Sequence, residues 1–117
     1  MNSGPENGKV EEEVSLSLSS LLDALRDSTR RQILLRLQAG ERRCSSFGDL
    51  GSKTALSYHF AILQKAGLTD ARQDGTSKFL SLSLSRIEST FPGLLASVLE
   101  SARKEPRKEH SSEIAPQ

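Results

Sequence analysis

The chain has 117 residues, enough for one domain with a modest core and too few for two. Hydrophobic residues make up 35% and aromatic residues 4%, and Leu dominates the apolar set, which points to an aliphatic helical core and away from a β-sandwich or barrel. A net charge of +1 names no partner by itself, the one cysteine excludes an internal disulfide, and no apolar run of roughly 18 residues is present to cross a membrane.

Residues 1–14 mix Gly, Pro, Asn and Glu without the basic-then-apolar order of a signal peptide, so a disordered tail and a reducing cytoplasm are expected. Residues 105–117 are charged, poor in apolar side chains and read as a second disordered tail. Residues 15–104 form the expected domain. They hold 13 of the Lys and Arg and 8 of the Asp and Glu, whereas both ends are acidic. The alternation from Val14 to Leu18 fits a short strand or a helix lead-in.

Leu18, Leu21, Leu22 and Leu25 recur at helical spacing and predict a first helix ending near Arg26. Asp27 is a good N-cap for a second helix with Ile33, Leu34 and Leu37 on its apolar stripe and Gly40 at its C-terminal cap. Arg30 and Arg31 near its start read as solvated surface charges, with approach to a phosphate as the other use. Cys44 to Leu50 is short, with Phe47 and Leu50 spaced as in one or two helical turns, and Gly51 ends it. Ser52 then caps a helix that Gly67 stops. Leu56, Phe60, Ile62 and Leu63 lie on one of its faces, and Lys53, Thr54, Ser57, Tyr58 and Ala61 on the other.

Past Gly67 the period changes to two, and Asp74-Gly75 between Leu68–Arg72 and Phe79–Leu84 predicts a β-hairpin. Ser85 and Glu88 have capping-box spacing. Phe91, Leu94, Leu95, Val98, Leu99 and Ala102 form a wide apolar stripe on a last helix with Pro92 near its start, broader than a solitary exposed helix keeps. The order helix, helix, short helix, capped helix, hairpin, helix predicts a mainly α fold with a small β-hairpin, a winged helix-turn-helix whose fourth helix enters the major groove. On that helix Lys53 suits a phosphate or guanine, Thr54 and Ser57 let the backbone approach, and Tyr58 and His59 have longer polar reach.

Three stretches resemble the ArsR-type winged-helix repressors across roughly residues 21–84. Leu25-Arg26-Asp27-Ser28-Thr29-Arg30 is similar to the family's Leu-x-Asp-Pro-Thr-Arg helix start, with Ser28 in place of proline. Ser52 to Phe60 resembles its recognition helix, and Ala66-Gly67-Leu68 through Asp74-Gly75 resembles its turn and wing. The resemblance implies double-stranded DNA as partner, with contacts at Lys53, Thr54, Ser57 and Tyr58 and with Arg72, Gln73 and Lys78 on the wing. It implies a homodimer on a palindromic site, built from the first and last helices, for which Leu21, Leu22, Leu94, Leu95, Val98 and Leu99 are the seam residues. It also implies a repressor that leaves DNA when an unidentified small-molecule effector binds.

The chain departs from the family where many members sense metals. Their Cys-x-Cys pair is replaced by Arg43-Cys44-Ser45-Ser46, and one thiolate makes no closed soft-metal site. No metal, cofactor or catalytic residue is therefore expected. Cys44 reads as a small, partly buried residue or, beside Arg42 and Arg43, as a redox-responsive thiol. His59 reads equally as a DNA contact or a hydrogen-bonded packing residue. A winged-helix protein-interaction module without a DNA task is the alternative function. An enzyme would need Cys44 with His59 or His110, and no third orienting group or phosphate loop accompanies them.

Overall fold

The computed structural model describes residues 16–106. The expected tail 1–14 lies outside the described residues, as do 107–117 of the expected tail 105–117, whose first residue, Glu105, is held by Arg31. Three helices start on side-chain caps. Ser17 accepts from the Ser20 amide ahead of α1 (Leu18–Leu25), Asp27 from the Arg30 amide ahead of α2 (Ser28–Leu37), and Ser52 from the Ala55 amide ahead of α3 (Lys53–Lys65), each at 3.1 Å. Each satisfies a first-turn N–H that the helix itself leaves without a partner.

Between α2 and α3 lies a two-residue strand, β1 (Arg42–Arg43), and then a 3-10 helix over Cys44–Leu50. The 3-10 helix takes the place of the short helix read from the sequence, and Phe47 buries its one large ring there against Phe60 of α3, edge to face with centroids 5.6 Å apart. A bidentate pair from Arg36 to Asp49, at 2.9 and 2.6 Å, ties the same segment to α2.

α3 stops as Gly67 requires. With Gly67 at φ 82, its amide reaches the Gln64 carbonyl and the Leu68 amide the Leu63 carbonyl, both at 3.0 Å. This is the Schellman pattern, and the buried Leu63 and Leu68 supply the hydrophobic contact that accompanies it. The chain enters the wing directly from that turn.

β2 (Thr69–Asp74) and β3 (Ser77–Leu82) pair antiparallel from Thr69↔Leu82 to Asp74↔Ser77, and β1 adds on the far side of β3, so the sheet order is β1-β3-β2. The two loop residues are Gly75 and Thr76, one place later than the Asp74-Gly75 turn read from the sequence, with Gly75 taking the left-handed conformation at φ 64.

The last helix is two helices. α4 (Leu84–Thr90) and α5 (Leu94–Arg103) meet at Gly93, whose φ of 79 breaks the axis. The expected capping box does not form. Ser83 precedes α4 and gives its hydroxyl to Asp70, while Glu88 accepts from the Gly93 amide at 2.8 Å and so holds the joint.

Leu21, Ala24, Ile33, Leu34, Phe47, Leu63, Leu68, Ile87, Leu95 and Leu99 fill one core among the helices and the inner face of the sheet. Arg30 lies in it too, only 3% exposed, which corrects its reading as a solvated charge. Its Nε donates to the Ala24 carbonyl at 2.8 Å and its Nη2 to the Asp23 carbonyl at 3.2 Å, while Nη1 lies 3.0 Å from His59 Nδ1. Arg31 donates to the Leu25 carbonyl at 2.8 Å and holds Glu105 through both carboxylate oxygens. The two guanidiniums thus satisfy carbonyls that end α1, at the end of the helix where the dipole favours positive charge.

Replacing Arg30 by Ala removes the side-chain donor from the buried Ala24 carbonyl and from the partly buried imidazole of His59. Urea unfolding should record a loss of about 3 kcal/mol, and a loss under about 0.5 kcal/mol, the range of ordinary surface changes, would count against this role.

Candidate nucleic-acid interface

The 3-10 helix, the turn at Gly51 and α3 form the helix-turn-helix unit, and α3 presents its outer face beside the β2–β3 wing. Lys53, Thr54, Ser57 and Tyr58 are all exposed on it. Tyr58 is 63% exposed, more than any other large apolar or aromatic side chain among the described residues. The opposite face carries Leu56 and Leu63 into the core.

His59 turns the other way. Arg30 is only a donor, so His59 Nδ1 must accept from it and the ring proton resides on Nε2. Burial pushes the imidazole pKa below its ordinary value, the charge of Arg30 pushes in the same direction, and Asp27 opposes them. Nδ1 is thus engaged with the scaffold, which fits the packing use that the sequence left open for this half-buried residue.

On the wing, Lys78 is exposed and Gln73 reaches only the Gly75 carbonyl, at 3.4 Å. Arg72 is held by Glu41 through two hydrogen bonds of 2.8 and 2.9 Å, and these lower the Glu41 carboxyl pKa. Its guanidinium also lies 4.5 Å from the Phe79 ring centre, with Arg43 at 5.5 Å from the same ring. In register, Arg43, Phe79 and Arg72 form one row across the sheet. β1 brings Arg43 and Glu41 to the wing, a placement with no signal in the sequence because two residues show no alternation.

The base of the wing is fixed by a network. Arg86 bonds to Asp70 at 2.9 Å, to Ser83 at 2.8 Å and to the Gly67 carbonyl at 3.2 Å. Burial alone would raise the Asp70 carboxyl, but the bonds from Ser83 and Arg86 and the arginine charge bring it below the usual range. Cys44 is half-buried, and burial raises its thiol pKa against a smaller opposite pull from Lys78, so it is a poor thiolate at neutral pH.

The six seam residues divide. Leu21, Leu95 and Leu99 are fully buried within the protomer, whereas Leu22 is 47% exposed and Leu94 and Val98 are partly exposed. Leu22, Leu25, Val98 and Ala102 line a shallow groove between α1 and α5. Among the described residues no group of three or more His, Cys, Asp or Glu side chains gathers as a metal site, and no helix is long and apolar enough to cross a membrane.

Two outcomes follow. Between pH 6.5 and 5 the parent should lose stability, because a depressed imidazole pKa favours the folded state fully above the unfolded value near 6.5 and progressively less below it. His59→Asn keeps an acceptor that does not titrate, and thermal melts of this variant should lack that part of the pH dependence. Glu41→Ala frees Arg72. If the wing approaches DNA, anisotropy titrations should show tighter binding and a steeper salt dependence, and unchanged curves would place Arg72 away from the backbone.

No protein-family model matches the chain. It is 34% identical over 82 residues to the uncharacterised HTH-type transcriptional regulator YceK of Bacillus subtilis, covering 66% of this chain and 81% of that protein. Among solved structures, HlyU from Vibrio cholerae superposes with a TM-score of 0.57 at 29% identity, over 68% of this chain and 88% of that one. Mb0332 of Mycobacterium bovis, described as a homodimeric winged helix-turn-helix DNA-binding domain and a possible ArsR-family regulator, shares the fold with a TM-score of 0.59 at 23% identity, over 79% and 87% of the two chains. YceK is described as a transcriptional regulator, a class that works by binding and not by catalysis. By the YceK likeness the chain belongs to the HTH-type transcriptional regulators, and its fold is the winged helix-turn-helix of these solved structures.

Proposed function

We propose that the protein is a cytoplasmic repressor that binds palindromic operator DNA as a homodimer, without a metal-sensing site. The observation that carries this reading is the outer face of α3, where Lys53, Thr54, Ser57 and the 63%-exposed Tyr58 stand on a helix whose other face is buried. An aromatic ring left in water on such a helix gains by stacking on sugars or packing against thymine methyls, and the hydroxyls beside it suit base edges and phosphates. Repression follows if the bound dimer occupies promoter DNA.

A second copy is the proposed occupant of the α1–α5 face. Leu22 and Val98 border its groove, and Leu18 and Leu84, each 49% exposed, add apolar surface on α1 and α4. The dimeric Mb0332 has this fold. Two recognition helices on one two-fold axis then read half-sites about one helical turn apart.

Selection of bound genomic fragments by the purified protein supplies the operator. On it, Lys53→Ala should weaken binding by about 1 to 3 kcal/mol and flatten the salt slope. Parent-like binding to every sequence would overturn the assignment of this face. The double variant Leu22→Asp, Val98→Asp should sediment as a monomer with a near-parent circular dichroism spectrum, and its operator affinity should drop by at least tenfold. A dimer that persists would move the seam elsewhere.

A further inference from the structure

A cleft of about 600 Å³ opens between the 3-10 helix, the first turns of α3 and the end of the hairpin. That volume lies within the range of small-molecule sites. Its floor is apolar, made by Leu56, Phe60 and the protonated Cys44. Arg43, Lys53 and Lys78 stand around it, and none of the residues lining it is acidic.

Most arginines elsewhere on the domain are paired, although Arg42 and Lys65 also form no ion pair among the described residues. Arg36 is answered by Asp49, Arg72 by Glu41, Arg86 by Asp70 and Arg31 by Glu105. Lys53, Lys78 and Arg43 form no ion pair among the described residues, and Arg43 only stacks on Phe79. The hydroxyls of Ser45 and Ser57 supply donors at the same opening. An apolar floor under uncompensated cations fits an amphipathic anion better than a neutral molecule, a cation or a bare inorganic ion.

We propose that this cleft is an effector site for a small organic carboxylate with a short hydrocarbon or single-ring body, and that its occupancy and DNA binding exclude each other. The proposal rests on the reading that α3 and the wing hold DNA. Lys53, Ser57 and Lys78 serve both ligands, and the same side chains do not neutralise a carboxylate and a phosphate together. Linkage then requires operator DNA to weaken carboxylate binding by the factor by which the carboxylate weakens DNA binding.

The test uses the full chain with hexanoate and benzoate as probes, hexanamide and benzamide as neutral counterparts, and chloride to equalise ionic strength. Amide NMR of the free protein should show saturable shifts centred on Cys44, Ser45, Ser57 and Lys78 with a carboxylate and not with its amide. Lys78→Gln should raise the carboxylate Kd by about fivefold or more, and saturating carboxylate should raise the operator Kd by about fivefold or more, at the lower end of ordinary allosteric coupling. Shifts that are absent, equal for the amides or centred on Leu22 and Val98 would overturn the proposal. Normal operator binding that no carboxylate alters overturns the effector site alone. Failure to bind any operator in chloride overturns the DNA reading and takes this proposal with it.

Discussion

A buried guanidinium organises this domain. Arg30 starts α2, takes up carbonyls at the end of α1 and donates to an imidazole on α3, so one rigid planar group sets three helices against one another. Burying a charge is costly unless its donors are matched. The match here is supplied by the Ala24 and Asp23 carbonyls at the end of α1 and by the His59 ring. Because His59 is one of the acceptors, α3 is attached to the scaffold by a directional contact as well as by Leu56 and Leu63. Packing alone tolerates small rotations, but a hydrogen bond into a rigid fork restrains them, and the angle of α3 fixes which side chains face a groove.

The parts of this plan that are legible in the sequence are those governed by neighbours in the chain. Asp27 and Ser52 act as caps, Gly67 stops α3 and the hairpin follows, because a cap or a left-handed glycine is decided within three or four residues. The two faces of α3 were legible for the same reason, since 3.6-residue periodicity separates Lys53, Thr54, Ser57 and Tyr58 from Leu56 and Leu63. The turn was misplaced by one residue, since Asp74-Gly75 and Gly75-Thr76 are both good turn pairs and cross-strand register chose between them.

Long-range choices were hidden. Nothing near Arg42 and Arg43 shows that they pair with Phe79 and Leu80, and nothing near Arg30 shows that carbonyls six and seven residues earlier await it. The broad stripe from Phe91 to Ala102 was visible, but its width served two purposes. Leu95 and Leu99 complete the core, and only Leu94 and Val98 keep an outward edge. Sequence periodicity gives the angle of a residue around a helix and not the depth of what covers it. The joint at Gly93 was equally hidden, since Pro92 suits a helix start and says nothing of a helix ending two residues earlier.

The Arg31–Glu105 pair sits where α1 ends and α5 has just finished. Half-exposed ion pairs contribute little to folding free energy, yet this one, from Arg31 on α2 to a residue two past the end of α5, adds to the Arg31 bond on the Leu25 carbonyl and so ties the ends of α1 and α5 together. In a two-fold assembly on that face, the tilt of α5 against α1 becomes the tilt of one subunit against the other. In the proposed dimer, an intrachain contact of small energy would thereby bear on how the two copies of α3 are spaced.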